Sequence, residues 1–352
     1  METDIYHKED RNTPMALFTG ASLFGTGLGP LISGFIARYT TWEWIFGSHS
    51  MAVAVLMVLM VAFFKETRGS VLLSRKAKEI NRWYQALEDA GYFGFDMAIN
   101  ELGYTEVQRV RWKVKSDEER ASLRVMITTS LYRPFHMLVT EPIVFFFSLW
   151  LSFGWAILYC TFSAVPYIFT TVYGFSLEET GSVFAVTSIA GVLMTFVSIY
   201  QERLASRFGK TFGSTPEDRL YFACVESAAL PIGLFWLGWT AFNSIPWIVP
   251  TLAVGCTTMG IFSIFLAVFN YLADSYHRYA SSAIAAQSFC RNLMGGFFPL
   301  FTEKLFVKMS IGGASSFLGG IATLLTIVPW VLMLMGPKIR ARSKIASELS
   351  GK

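Results

Sequence analysis

From Pro142 to Leu177 the chain reads PIVFFFSLWLSFGWAILYCTFSAVPYIFTTVYGFSL, without one Asp, Glu, Lys or Arg. A helix needs only about 20 apolar residues to cross a bilayer, so this stretch is long enough to span one. Residues 227–273 and 309–337 also lack these four residue types. Of the 352 residues, 53% are hydrophobic and 15% are charged, against about 25% charged in soluble domains. The composition therefore predicts a multispanning membrane protein and disfavours a soluble enzyme or a disordered chain.

Apolar stretches of about twenty residues occur repeatedly along the chain. The predicted spans are 15–37, 44–64, 142–170, 180–200, 220–241, 247–273, 279–302 and 311–335. Nothing alternates between polar and apolar residues as the strands of a membrane barrel would. Apart from closed barrels, only helices satisfy all their backbone polar groups within lipid. The predicted fold class is therefore an all-α polytopic membrane protein.

Lys and Arg are concentrated in alternate loops between these spans. They cluster in 65–138, 201–219 and 338–352, whereas 171–179 and 242–246 contain none. By the positive-inside rule the first three segments are predicted to be cytoplasmic, with both chain ends on that side. The net charge of +4 gives no indication of a nucleic-acid partner.

Residues typical of metal sites and of catalysis are not grouped in this sequence. The four cysteines lie in apolar segments without CxxC spacing, and the four histidines are isolated, so no metal and no cofactor are predicted. HExxH, GxSxG and paired intramembrane carboxylates are absent from the sequence, which disfavours a membrane enzyme and predicts no catalytic residues.

The first predicted span has a small residue at every fourth position. These residues are Ala21, Gly25, Gly29, Ser33 and Ala37. We expect them to share one helix face, where a neighbouring backbone can approach closely. Plain helix packing is one explanation. Pro30 favours a further role, because Gly29-Pro30 removes a backbone hydrogen bond in mid-span and bends or loosens the helix.

Gly25, Gly29-Pro30 and Ser33-Gly34, at this spacing, resemble the antiporter motif in the fifth helix of major facilitator superfamily drug:proton antiporters. Other segments are similar to the fungal twelve-span multidrug and polyamine exporters. These are Thr41 to Phe46, Glu66 to Arg68, Leu72 to Ala77, Glu141-Pro142, Pro216 to Leu220, Pro231 to Trp236, Asn270 to Asp274, and Arg291 with Gly295 and Pro299 to Phe301. The family motif has Gly where this chain has Ala16 and Ser33, both of which are small.

The resemblance implies the major facilitator fold, with about eight of the usual twelve transmembrane helices, because the first four are not represented. Residues 1–64 would hold the last two helices of the N-terminal half. Residues 65–138 would form a cytoplasmic linker, 139–337 the six-helix C-terminal half, and 338–352 a cytoplasmic tail.

The implied function is export of drugs, polyamines or secondary metabolites by proton antiport. Its partners would be the lipid bilayer, a small organic substrate and protons. The expected location is the plasma membrane or, as the alternative, the vacuolar membrane. The alternative function is that of a truncated, transport-inactive membrane fragment, because charged residues of the first four helices would be missing.

Four residues are candidates for substrate binding or proton coupling. Arg291 lies close to mid-membrane in the seventh predicted span, where an Arg costs about 2.5–3.5 kcal/mol. It is predicted to hold substrate or a protonatable partner such as Glu226, or else to be satisfied by backbone carbonyls at a packing seam. Glu226 is predicted either to couple protons or, alternatively, to reach the membrane interface or pair with a basic residue of a loop. The resemblance adds Asn270 and Asp274, and the simplest role of Asp274 is structural, pairing with Arg278 or a helix N-terminus.

Overall fold

The structure, a computed structural model, describes residues 11–92, 94–98, 105–115, 123–207 and 215–343. The chain divides into two compact units. The smaller unit is built mainly from residues 54–129, and the larger one from residues 6–53 and 130–352.

Helices account for most of the described residues. In chain order they are α1 (Asn12–Tyr39), α2 (Glu43–Phe63), α3 (Gly69–Asp89), α4 (Leu123–Thr140), α5 (Pro142–Tyr173), α6 (Leu177–Val183), α7 (Ala185–Arg207), α8 (Tyr221–Glu226), α9 (Ala229–Thr240), α10 (Ile248–Tyr276), α11 (Ala280–Phe297), α12 (Pro299–Leu325) and α13 (Ile327–Arg342). Short 3-10 helices cover Pro216–Leu220 and His277–Tyr279. The predicted all-α polytopic fold is confirmed, and the described residues also include an antiparallel pair of short strands, β1 (Phe95–Ala98) and β2 (Thr105–Gln108).

Helices α5 and α10 form the centre of the larger unit. Both are apolar around most of their circumference, a distribution typical of a buried helix, and Phe147 and Tyr271 meet with ring centroids 4.9 Å apart. Pro142 is at the start of α5, where its missing N–H is not needed. Gly174 ends this helix at φ +68°, and its N–H bonds to the carbonyl of Thr170.

Seven described helical segments are long and apolar enough to cross a bilayer, where the sequence predicts eight. The difference arises from the predicted spans 279–302 and 311–335. Polar residues such as Gln287 and Arg291 lower the hydropathy of α11, and Pro299–Ala341 counts as one 43-residue segment. That segment would be about 65 Å long as one straight helix. It is interrupted at Ser310, whose φ of +62° is not helical, between the two predicted spans.

The smaller unit joins α3 to the residues that follow β2. Arg111 donates hydrogen bonds to both carboxylate oxygens of Glu88, at 2.9 and 2.7 Å, and its guanidinium lies over the ring of Tyr84. These bonds lower the pKa of Glu88 below its ordinary value. The side chain of Asn81 exchanges two hydrogen bonds, both 2.8 Å, with the backbone of Trp112.

Candidate functional site

Helix α1 packs on α6 and α7 through glycines spaced by seven residues. The three contacts are Gly20 with Thr195, Gly27 with Ser188, and Gly34 with Gly181. A Cβ on Gly27 would lie 2.7 Å from the backbone oxygen of Phe184 and 2.7 Å from the backbone nitrogen of Ser188. Ser188 also donates its hydroxyl to the carbonyl of Phe24, at 2.9 Å. Backbone therefore meets backbone along this seam, as small residues allow in membrane helices.

The predicted stripe of small residues is not this packing face. An added Cβ on Gly25 or Gly29 would meet no described atom within 4 Å, and Ala21 is exposed. Residues spaced by four rotate by about 40° at each step, so a stripe of five turns through about 160° and cannot face one neighbour. Of the four motif residues, Pro30 and Gly34 do contact Gly181. Helix α1 continues through Pro30.

Glu226 lies at the last residue of α8 and joins three helices. Its carboxylate accepts a 2.6 Å hydrogen bond from Gln201 Nε2 on α7 and a 2.8 Å hydrogen bond from Ser263 Oγ on α10. No ion pair to Glu226 is present within the described part of the chain. The partners of Glu226 are thus two neutral donors, and not the basic loop residue that the sequence suggested as one alternative.

These residues line a cleft of about 480 Å³, including its open mouth. The other lining residues are Asn12, Ser198, Glu202, Asp218, Arg219, Phe222, Ala223, Leu266, Ala267 and Asn270. Asn270 donates its amide to Asn12 Oδ1 at 3.0 Å and so connects α10 to the start of α1. Its own Oδ1 is buried and has no hydrogen-bond partner among the described residues.

Asp274, one turn further along α10, is held by two arginines. Arg11 Nη1 donates to Oδ1 at 2.7 Å, and Arg219 Nε donates to Oδ2 at 3.1 Å. We call these three residues the Asp274 network. The side chain of Arg278, the expected partner, lies outside the described residues. A structural role for Asp274 fits this arrangement, because the network joins α1, α10 and the 3-10 helix before α8.

Two further carboxylates at this end of the bundle have partners. Glu217 accepts a 2.8 Å hydrogen bond from Arg340 Nη2 and a 3.3 Å hydrogen bond from the hydroxyl of Tyr271. Glu141 accepts hydrogen bonds from the hydroxyls of Tyr276 and Ser343. The end of α13 is thereby connected to the ends of α5 and α10.

Arg291, on α11, has aromatic rings as its neighbours. Its guanidinium carbon lies 4.4 Å from the ring centroid of Trp155 on α5 and 5.3 Å from that of Phe265 on α10. Both distances are within the range of cation–π attraction. Nε is buried and has no hydrogen-bond partner among the described residues. The structure therefore does not bring Arg291 and Glu226 together, and no backbone carbonyl satisfies Arg291 Nε as the alternative interpretation required.

Some of these contacts had a sequence signal and others had none. The spacing of seven in Gly20, Gly27 and Gly34 is visible in the sequence and could have identified the seam. Gln201 and Ser263 could not have been found in this way, because neutral polar residues are common in membrane helices and nothing local indicates which of them meet.

Known proteins resemble this chain over nearly its whole length. Residues 1–299 match the family model described as Major Facilitator Superfamily. The chain is 30% identical to the efflux pump FUB11 of Gibberella moniliformis, covering 98% of this chain and 55% of that protein. It is 31% identical to the multidrug transporter TPO1_2 of Candida glabrata, covering 98% of this chain and 56% of the relative. The chain thus spans about half the length of the curated relatives it matches.

A solved structure supports the same fold. The proton:xylose symporter XylE, bound to 6-bromo-6-deoxy-D-glucose, aligns with a TM-score of 0.54 and 16% sequence identity. The alignment covers 94% of this chain and 66% of XylE. At this identity the likeness concerns the fold alone.

Proposed function

Because this chain belongs to the Major Facilitator Superfamily, we propose that it exports small organic compounds across a membrane in exchange for protons. The relatives named as an efflux pump and a multidrug transporter support the export of organic compounds. Drugs, polyamines and secondary metabolites are the substrate classes that we consider. We further propose that both chain ends are cytoplasmic, since Lys and Arg are concentrated in alternate loops. The membrane that we propose is the plasma membrane.

The observation that carries the proton exchange is the environment of Glu226. A carboxylate inside a membrane span is a candidate for a proton relay. Here it is held by the neutral donors Gln201 and Ser263, so it can take up a proton without losing an ion-pair partner. Protonation removes one unit of negative charge from the cleft and weakens the two hydrogen bonds. The connection between α7, α8 and α10 therefore depends on the protonation state of one group.

Helix α10 connects Glu226 to the proposed substrate site. Ser263, which contacts Glu226, and Phe265, which contacts Arg291, are two residues apart on α10. A shift of α10 that follows the protonation of Glu226 would displace one wall of the aromatic site around Arg291. Proton and substrate then occupy different sites that are coupled through one helix, and such coupling needs a difference in affinity between two states.

The test is transport by the purified chain in liposomes with an imposed pH gradient. The substrates are labelled spermidine, 2-naphthalenesulfonate and 2-naphthyltrimethylammonium. We expect the wild-type chain to accumulate a probe when the lumen is acidic. Glu226→Gln should lose this accumulation but retain exchange of labelled for unlabelled probe across the membrane. The matched control is Glu303→Gln, which changes an exposed carboxylate on α12 and should behave as the wild type.

Two outcomes would count against the proposal. Accumulation by Glu226→Gln at the wild-type rate would show that this carboxylate does not couple protons. A wild-type chain that neither accumulates nor exchanges any probe would instead support the alternative of a transport-inactive membrane fragment.

A further inference from the structure

We infer that Arg291 and the aromatic rings around it form a binding site for an aromatic organic anion, a planar ring that carries a carboxylate or sulfonate. This inference names the substrate class of the transporter and rests on the proposed function. It also predicts binding that can be measured without transport.

Among the described residues, Arg291 has no negatively charged partner. No Asp or Glu forms an ion pair with it in the described part of the chain. A guanidinium is always charged and carries five N–H donors in a planar fork that matches a carboxylate. Trp155 and Phe265 lie on one side of the guanidinium and cannot accept conventional hydrogen bonds from it. An oxyanion would supply both the missing negative charge and the missing acceptors.

A second unsatisfied donor lies one turn away on α11. Gln287 is fully buried, and its Nε2 has no hydrogen-bond partner among the described residues. Residues four apart lie on the same helix face, so Gln287 and Arg291 are neighbours on one face of α11. Arg291 Nε and Gln287 Nε2 are both donors that lack an acceptor. The site therefore favours an anion over a polar cation.

The surrounding rings determine the shape of the favoured ligand. Trp155 lies 5.6 Å from Phe265, and Phe265 stacks on Phe269 with centroids 4.4 Å apart. Tyr159, next to Trp155, is 37% exposed. This aromatic surface suits a flat ring whose charged group reaches Arg291. An organic cation would instead compete with Arg291 for the same ring faces and would meet its positive charge.

Exchange of an anion for a proton has an electrical signature. Export of one monovalent anion with entry of one proton moves two positive charges inward per cycle, whereas exchange of a monovalent cation for one proton moves none. A membrane potential that is negative on the side the substrate leaves should therefore accelerate transport of the anion and leave that of the cation unchanged.

The experiment uses two probes of nearly the same shape and opposite, permanent charge: 2-naphthalenesulfonate and 2-naphthyltrimethylammonium. Binding to the purified full chain in detergent is measured by titration calorimetry and by quenching of tryptophan fluorescence. We expect the wild type to bind the sulfonate more tightly than the ammonium. Arg291→Met should weaken sulfonate binding by about tenfold or more, the value of a charge-assisted hydrogen bond. Arg291→Lys, which keeps the charge but loses the planar fork, should be intermediate.

Two controls separate binding from folding. Thermal unfolding of each variant shows whether it is folded, and Arg38→Met removes an exposed arginine that is not part of this site. Arg38→Met should bind both probes as the wild type does. If Arg291→Met does not fold, the sulfonate affinities of the two single variants Arg291→Lys and Gln287→Leu are compared with that of the wild type instead.

The possible results distinguish this inference from the proposed function. Sulfonate binding that depends on Arg291, without transport driven by the pH gradient, would uphold the site and overturn the function. Gradient-driven transport of the ammonium but not of the sulfonate would uphold the function and overturn the anion site. Equal binding of the sulfonate by wild type and Arg291→Met would also overturn the anion site. In the liposomes, potassium and valinomycin set the potential, and a sulfonate flux that ignores the potential would contradict the proposed charge movement.

Discussion

Asp274 and Arg291 lie on consecutive long helices, α10 and α11, and are surrounded in opposite ways. Asp274 is 2% exposed and is held by two arginines. Arg291 lies against Trp155 and Phe265 and has no carboxylate partner within the described residues. Removing an ion from water costs several kcal/mol, which a partner offsets only when the geometry is good. The first arrangement is complete without a ligand, and the second is not.

Glu226 belongs with Arg291 in this comparison, although it has two hydrogen bonds. Its donors are neutral, and no ion pair to it is present within the described part of the chain. The paired charges join the helix ends, while under the proposed function Glu226 would take up a proton and Arg291 would bind a substrate. Four predictions test this distinction, beginning with the largest expected effect.

Removal of Asp274 should have the largest effect. Asp274→Ala deletes the carboxylate that Arg11 and Arg219 share, and the side chain of Arg219 is only 5% exposed. Breaking a buried pair by removing one partner costs about 3–5 kcal/mol, so we expect a large fall in melting temperature and in yield. The measurement is thermal unfolding of the purified chain in detergent.

Arg38→Ala is the matched control for Asp274→Ala. Arg38 pairs with Glu178 at 3.6 Å, but its side chain is 58% exposed, and exposed pairs contribute about 0–1 kcal/mol. Equal melting temperatures for the two variants would remove the distinction between the Asp274 network and an ordinary surface pair.

A similar contrast exists on α1, where Gly27 packs against a neighbouring helix and Gly29 has no described neighbour within 4 Å of an added Cβ. Gly27→Leu places a branched side chain against the backbone of Phe184 and Ser188, and overpacking costs about 1–3 kcal/mol. Gly29→Leu enters open space, and Leu has a higher helix propensity than Gly. We expect the first variant to melt well below the wild type and the second to melt at or above it. The opposite order would mean that α1 packs through the stripe predicted from the sequence.

Arg291→Met should change stability much less than Asp274→Ala. The substitution loses cation–π attraction of about 0.5–2 kcal/mol but also removes a buried group that lacks a partner. The two effects largely cancel, so the melting temperature should stay near that of the wild type. A fall as large as that of Asp274→Ala would give Arg291 a structural role and contradict its assignment to a ligand site.

The smallest effect is expected in the smaller unit, where the pair of Glu88 and Arg111 is complete. The pKa of Glu88 is lowered in the folded chain by its hydrogen bonds to Arg111. The stabilisation is therefore fully present above the ordinary pKa of a Glu and is lost as the pH falls through the lowered value. Hydrogen exchange at the amide of Trp112, which bonds to Asn81, should accelerate in acid relative to its intrinsic rate. Arg111→Met should show no such pH dependence, and equal pH profiles would contradict this role of the pair.

Predictions that depended on composition and on a single helix were largely confirmed. The apolar runs gave the membrane helices, because the length of a span is set by the bilayer and is visible in one continuous segment. The motif around Gly25, Gly29 and Gly34 identified the family, which the match over residues 1–299 confirms. The count of eight spans differed from the seven candidates because α11, which corresponds to the predicted span 279–302, contains polar residues such as Gln287 and Arg291 and is not apolar enough to count.

Predictions that depended on a partner were less successful. The stripe of α1 was assigned to a packing face from spacing alone, but rotation along the helix places Gly25 and Gly29 away from α7. Nothing near Glu226 in the sequence indicates Gln201 or Ser263.

The sequence by itself determined which segments enter the membrane, the family, and the presence of a few charges inside apolar helices, because these properties are local. Only the tertiary structure decided which of those charges are paired. Arg11 and Asp274 are separated by 263 positions, and their pairing depends on how α1 and α10 pack rather than on either segment alone. Whether a buried charge is a structural tie or an open site is a property of its neighbours, and those neighbours are chosen by the fold.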